Sequence, residues 1–438
     1  MEKIKKQIKK GLIDSSHDDP FEVFVSSTNV RFSYYKESHK ILGNTFGMCV
    51  LQDFEALTPN LLARTIETVE GGGLVVILLK SVTSLKQLYT MTMVRVYHKF
   101  ASIKFMKCEK KKDVHARFRK EDQEIVSRFN ERFILSLGSC SRCMVVDDTL
   151  NVLPISSHVR GIESVPKDLP QSEFEQELGE LKDSLKESEV IGTVLQNART
   201  LDQAKALLVF LEAISEKTLR STVALTAARG RGKSATMGMA IASAVAMGYS
   251  NIFVTSPSPE NLKTLFEFLF KTFDSLGFKE HVDYELVEST NPKFSKCVVR
   301  VNVFHSHRQT IQYIQPTDFQ RIGQAELVVV DEAAAIPLAH VRRLFGPHLL
   351  FLSSTVNGYE GTGRSLSLKL IKQLRDQQDV TAGPSSTGRV LRELTLDEPI
   401  RYRRGDPVES WLHQLLCLDA TIVNTKPVGC PHPSACNL

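Results

Sequence analysis

The 438 residues are 42% hydrophobic and carry a formal net charge of +5. That is enough apolar material for two or three cores at roughly 150 residues per domain. No run approaches the ~18 apolar residues of a helical membrane span, and the N-terminus shows no hydrophobic signal core, so the chain is expected to be neither secreted nor membrane-spanning. Its eight cysteines are scattered, as expected of thiols in a compartment that keeps them reduced.

In chain order, Ile4, Ile8 and Leu12 recur at helical spacing among Lys3, Lys5, Lys6, Lys9 and Lys10, a short amphipathic helix. A second basic cluster runs from Lys104 through Lys120. Both suit RNA phosphates, although a charge run is more often a solvated face. Residues 21–160 alternate strand-like runs (Gly73 to Leu79, Met144 to Val146) with helical ones. Cys140-x-x-Cys143 would be half a zinc site with Cys430 and Cys436 or His432. No second C-x-x-C exists, and a thiol just before Met144-Val145-Val146 also fits a buried or semi-buried place. Residues 170–190 are acidic, with Leu178, Leu181 and Leu185 as sparse anchors, and read as a linker with a weak helix.

Val223 to Ser234 then read as a buried strand, a glycine-rich turn and Lys-Ser opening a small-residue helix, Ala235 to Met247. Gly230 and Gly232 let backbone N–H groups approach phosphate oxygens, and the helix N-terminus favours the same anion. In the G-x-x-x-x-G-K-[ST] pattern, Gly230, Arg231, Gly232, Lys233 and Ser234 bind the nucleotide. Lys233 meets the β/γ-phosphates and Ser234 holds Mg²⁺. Ala227 stands where the pattern has its first glycine. Strands are expected at Asn251 to Pro257 and Leu349 to Thr355, each ending in hydroxyl residues. Thr255 and Ser256 would meet a nucleic-acid backbone and Ser353 to Thr355 the γ-phosphate, or they are helix caps.

Between those strands, Leu327 to Val330 is an unbroken apolar strand closed by Asp331 and Glu332. Asp331 is expected to organise Mg²⁺ and Glu332 to activate the attacking water. Ligands in open α/β sheets sit at the carboxyl ends of strands, so these ends should meet in one crevice. The expected fold is α/β, a RecA-like P-loop ATPase/helicase core with a parallel sheet, preceded by an α/β accessory domain. Asp379 to Arg389 reads as a loop, and Val390 to Leu396 as a returning strand. An arginine near its end suits the γ-phosphate, but Arg401, Arg403, Arg404 and Arg364 are equal on sequence alone.

Thr226 to Ser234, Asp331-Glu332-Ala333-Ala334-Ala335-Ile336-Pro337 and Asn357 to Arg364 resemble the RNA cytidine acetyltransferases, and Lys40 to Asn60 resembles the domain before the ATPase in their eukaryotic, nucleolar members. The similarity covers most of 14–93 and 113–436. It implies that alanine is usual at the Ala227 position and that Arg401, in Glu398-Pro399-Ile400-Arg401-Tyr402, contacts ATP, with Arg364 second. It also implies residues 1–160 as an accessory domain interrupted by an insertion at 94–112, 161–189 as an acidic linker, 190–418 as the ATPase, and 419–438 as the lead into an acetyltransferase domain expected beyond Leu438.

The implied activity is N4-acetylation of cytidine in 18S-type rRNA and tRNA with ATP and Mg²⁺, and with acetyl-CoA only in the full-length enzyme. This chain would supply the ATPase module. Implied partners are rRNA, tRNA, a tRNA-binding adaptor protein and pre-ribosomal particle components, with no membrane and with a homodimer left open. The implied location is the nucleus and nucleolus, in small-subunit ribosome biogenesis. The alternative is a non-catalytic nucleotide-binding scaffold in pre-rRNA processing.

Overall fold

The computed structural model describes residues 30–41, 43–79, 129–161, 172–217, 221–291, 296–355 and 390–417, with Phe24, Thr28 and Phe294. The chain divides into a unit ending at Lys40 and a larger one from Ile41 onward. The larger unit begins with a strand–helix–strand: β1 (Phe46–Leu51), α1 (Pro59–Ile66) and β2 (Val69–Ile77), with β1 and β2 parallel. Thr58 caps α1 by accepting the Leu61 N–H, and Pro59 follows at the first helical position. The strand expected at Gly73 starts at Val69 instead, pairing with β1 at Val69 and again from Leu74 with a register shift across the glycine run. A Cβ on Gly73 would collide with the Gly47 carbonyl and Val69, so only glycine admits this approach to β1.

Helix α2 (Phe129–Leu137) follows. The expected strand at Met144 to Val146 amounts to one bridge, Val146 to Val152. Asp147 ends it by accepting the Thr149 and Asn151 N–H groups in a local turn.

The segment expected to be an acidic linker with a weak helix packs onto the core. Its centre is α3 (Glu173–Ser184), a helix started by a capping box in which Ser172 and Glu175 satisfy each other's backbone N–H. Leu178 is buried in the same core as Leu207 and Phe210. Lys182 donates to the Ala198 carbonyl at 2.6 Å, and Lys205 pairs with Glu177 at 2.9 Å. Charge made the segment look solvated, yet one buried leucine stripe is enough to dock it. Helices α4 (Glu189–Gln196) and α5 (Leu201–Ser215) continue the packing.

The main sheet is built from β3 (Ser221–Ala227), then, after α6 (Lys233–Ala246), β4 (Asn251–Thr255). Helix α7 (Lys263–Ser275) leads to β5 (Tyr284–Glu288), β6 (Val298–Val303) and β7 (Gln309–Tyr313). Then come β8 (Leu327–Val330), α8 (Leu338–Arg343), β9 (Leu349–Thr355), β10 (Val390–Leu396) and α9 (Pro407–Leu416).

The strand order is β10-β3-β9-β8-β4-β7-β6-β5. From β10 to β7 every pairing is parallel; β6 and β5 add an antiparallel edge. Residues alternate between two cores: Val329 and Phe351 face α5, α6 and α7, whereas Val328, Val330, Leu350 and Leu352 face α8. Burial on both faces explains why these strands read as continuous apolar runs. This is the expected RecA-like arrangement, in which β9 separates the strand of the glycine turn from the strand of the carboxylates.

Candidate nucleotide site

Thr355 pairs with Ala227 and Leu352 with Val330, while the Asp331 N–H donates to the Thr255 carbonyl at 2.9 Å. The strand ends therefore meet along one edge, as expected. After β3 the chain turns through Gly230 (φ +71°) and Gly232 (φ +83°) into α6. These left-handed conformations favour glycine. At Gly232 there is no room for a side chain either, since a Cβ would meet Gln203 and Ile400.

Lys233 is buried at the first turn of α6, and its Nζ donates to the Ala227 and Ala228 carbonyls at 3.1 and 2.9 Å. The ammonium thus arches over its own turn. Burial pushes its pKa down to about 8 against the attraction of Glu332. Asp331 is fully buried. Its Oδ1 accepts from Ser353 Oγ at 2.6 Å and from the Glu332 N–H at 3.0 Å, while Oδ2 accepts no hydrogen bond. Burial first and the Glu332 charge second push this carboxyl up; the hydroxyls of Ser353 and Ser234 and the Lys233 charge oppose them. A buried, unpartnered carboxylate oxygen beside a serine hydroxyl fits a hard divalent cation such as Mg²⁺.

Glu332 adopts φ 51°, ψ 43°, a left-handed conformation that costs a non-glycine residue of order 1 kcal/mol or more. Its Oε2 accepts from Thr355 Oγ1 at 3.1 Å. Strand β9 thus supplies one hydroxyl to each carboxylate. The arrangement offers a lysine and backbone N–H groups for an anion, a carboxylate–hydroxyl pair for a cation, and a second carboxylate for a water.

The family profile described as RNA cytidine acetyltransferase NAT10/TcmA, helicase domain, matches residues 224–419, and that described as tRNA(Met) cytidine acetyltransferase TmcA, N-terminal, matches residues 5–148. Proteins named RNA cytidine acetyltransferase are 60% identical in Mus musculus and 59% in Saccharomyces cerevisiae, each across 100% of this chain and 42% of the relative. The Dictyostelium discoideum relative is 62% identical over 98% of the chain and 39% of its own length. The chain belongs to the RNA cytidine acetyltransferase family. It spans about two fifths of the relatives it matches. Among solved structures, the large terminase ATPase domain of Thermus phage P74-26 aligns at 14% identity, over 42% of this chain and 79% of its own, with TM-score 0.26.

Within this family member, two arginines of the expected nucleotide site are paired with protein groups. Arg401 does not aim its guanidinium into the cradle: Nη1 donates to the Glu67 carbonyl and Nε to Thr45 Oγ1 at 3.3 Å. Its backbone N–H contacts the Gly230 carbonyl at 3.2 Å, so it adjoins the turn. The Arg231 guanidinium pairs with Glu409 at 2.8 Å and donates to the Arg229 carbonyl of the turn at 3.2 Å. The proposed nucleic-acid contact of Thr255 and Ser256 is corrected by burial, since both are 0% exposed and Ser256 Oγ donates to the Ser258 carbonyl.

Cys140 is buried, and burial pushes the Cys143 thiol up to about 11. Both basic clusters, Arg364, residues 94–112, Asp379 to Arg389, Cys430, His432, Cys436 and 419–438 lie outside the described residues.

Sequence reasoning missed Gln203. Its Nε2 donates to the Gly232 carbonyl at 3.2 Å and to Thr236 Oγ1 at 3.3 Å, and its Oε1 accepts the Arg199 N–H. A buried glutamine after a capping threonine on an otherwise apolar helix face was the signal. Glu67, 7% exposed at the end of α1, was also missed.

Proposed function

We propose that this chain is the ATP-binding and ATP-hydrolysing, helicase-like module of an RNA cytidine acetyltransferase. The observation that carries the reading is the convergence of Lys233, Ser234, Asp331 and Glu332 on one sheet edge, with Asp331 Oδ2 buried and unpartnered. Mg²⁺, when bound, would neutralise phosphate charge. Asp331 and Ser234 would hold it, and Ser353 fixes the Asp331 carboxylate for that purpose.

The Lys233 ammonium would exchange its two carbonyl partners for β/γ-phosphate oxygens, while the N–H groups of residues 230–234 and the dipole of α6 orient the anion. Glu332, held by Thr355, would orient the attacking water and draw its proton. The turnover serves acetylation of cytidine in rRNA and tRNA, with acetyl-CoA used by the longer enzyme, an adaptor protein presenting tRNA and pre-ribosomal components as partners. The location that suits this work is the nucleolus. Family membership supports the RNA substrate class.

The deciding experiment is RNA-stimulated phosphate release from the purified chain, with Glu332→Gln alongside. Turnover that depends on Glu332 supports the reading. ATP bound without turnover in the parent chain leaves the scaffold reading, and no ATP binding overturns both.

A further inference from the structure

The β1-α1-β2 segment reaches the phosphate turn through Glu67. It sits at the end of α1 with only 7% of its surface exposed. Its Oε2 lies 3.5 Å from Arg229 Nε, and its Oε1 lies 3.8 Å from His413 Nε2 on α9. Its carbonyl accepts from Arg401 Nη1. Arg229 is in the phosphate turn itself, and Arg401 leans on that turn, its backbone and that of Ile400 both donating to the Gly230 carbonyl. The segment is then fastened from β2, where the Gly71 N–H donates to the Arg401 carbonyl at 2.8 Å.

We propose that Glu67 competes with nucleotide phosphate for Arg229 and Arg401, so that ATP binding and the docking of the β1-α1-β2 segment oppose each other. The inference rests on the ATP reading above. A triphosphate is a polyanion, and two of the cations at the turn, Arg229 and Arg401, are already paired with a carboxylate and a carbonyl from one distant segment. The Glu67 charge also reaches Lys233 and Arg401. Moving either arginine toward phosphate removes a fastening of the segment. Linkage makes the effect reciprocal: whatever factor docking takes from ATP affinity, ATP takes from docking.

The test has two arms. In the first, ATP affinity is measured for the parent chain and for Glu67→Gln, which keeps the carbonyl and the size of the side chain but removes the charge. Affinity is expected to tighten by about 5-fold or more, the lower end of the range for coupling between two sites. In the second arm, hydrogen exchange of the unmutated chain is followed across β2, with and without ATP. The Gly71 amide is expected to exchange faster with ATP, while Val329 in the sheet interior does not.

Unchanged or weaker binding in a folded Glu67→Gln chain overturns the inference and leaves the ATP reading intact. If the variant fails to fold, Gly71 exchange that is unchanged or slowed by ATP overturns it alone. No ATP binding by the parent overturns both.

Discussion

At the β8–β9 end of the crevice, Asp331 and Glu332 are held by Ser353 and Thr355, only 22 and 23 residues away on the adjoining strand. At the β3–β10 end, Arg231 reaches Glu409 across 178 residues and Arg401 reaches the Glu67 carbonyl across 334. The first end is assembled by strand register: once β8 and β9 pair, the hydroxyls stand beside the carboxylates. The second is assembled by packing of three separate segments around buried charge. Register is a local consequence of pattern, whereas long-range charge pairing depends on how whole segments dock.

The sharpest way to break this contrast is Arg231→Ala. Arg231 and Glu409 are 10% and 12% exposed at the side chain, and Tyr402 Oη also donates to Glu409 at 2.9 Å. Removing one partner leaves the other carboxylate buried, which costs about 3–5 kcal/mol. The backbone N–H of residue 231 survives, so ATP affinity of the folded fraction should move less than about 3-fold. Chemical denaturation together with nucleotide titration checks both halves. A large loss of affinity with stability unchanged would mean that the guanidinium serves phosphate.

At the other end the expected effect falls on chemistry. Glu332→Gln keeps shape and hydrogen bonding but removes the negative charge, so ATP should still bind while hydrolysis drops about 100-fold or more. Phosphate release at the parental rate would remove Glu332 from the role. Lys233→Ala deletes the cation that replaces two backbone carbonyls with phosphate. Loss of a hydrogen bond to a charged group costs roughly 1.5–3 kcal/mol, so ATP affinity should fall ~10-fold or more by calorimetry.

The same contrast explains what the sequence made legible. β10 was expected at Val390 to Leu396 and is found there, and β8 and β9 lie within a residue of their apolar runs. Lys233, Ser234, Asp331 and Glu332 stood out because each terminates a periodic element. Arg231 was assigned to the nucleotide by the glycine-turn pattern and Arg401 by the family resemblance, neither of which shows which distant acid or carbonyl holds the guanidinium. Glu67 carried no signal: it is one acidic residue after a helix, and its importance comes from burial. The antiparallel β5–β7 edge was unforeseen because its short strands alternate and are half exposed.

The smallest predicted effect is the loss of the cap of α3, where acidic composition suggested a linker with a weak helix and the structure shows a docked helix. If the helix belongs to the ATPase fold, weakening its start must be felt by the whole domain; if it were a linker, the domain would not notice. Ser172→Ala removes the side chain that accepts the Glu175 N–H and breaks the reciprocal bond of the capping box. N-cap losses of this kind cost about 1 kcal/mol. For a cooperative domain of this size, that should lower the melting temperature by roughly 2–4 °C. The docking contacts are Leu178 in the main core and Lys182 on the Ala198 carbonyl, so Leu178→Ala should lower it further, with about 2–5 kcal/mol lost on removing a buried leucine. Differential scanning calorimetry reads both variants. An unchanged transition in both would return α3 to the role of a linker.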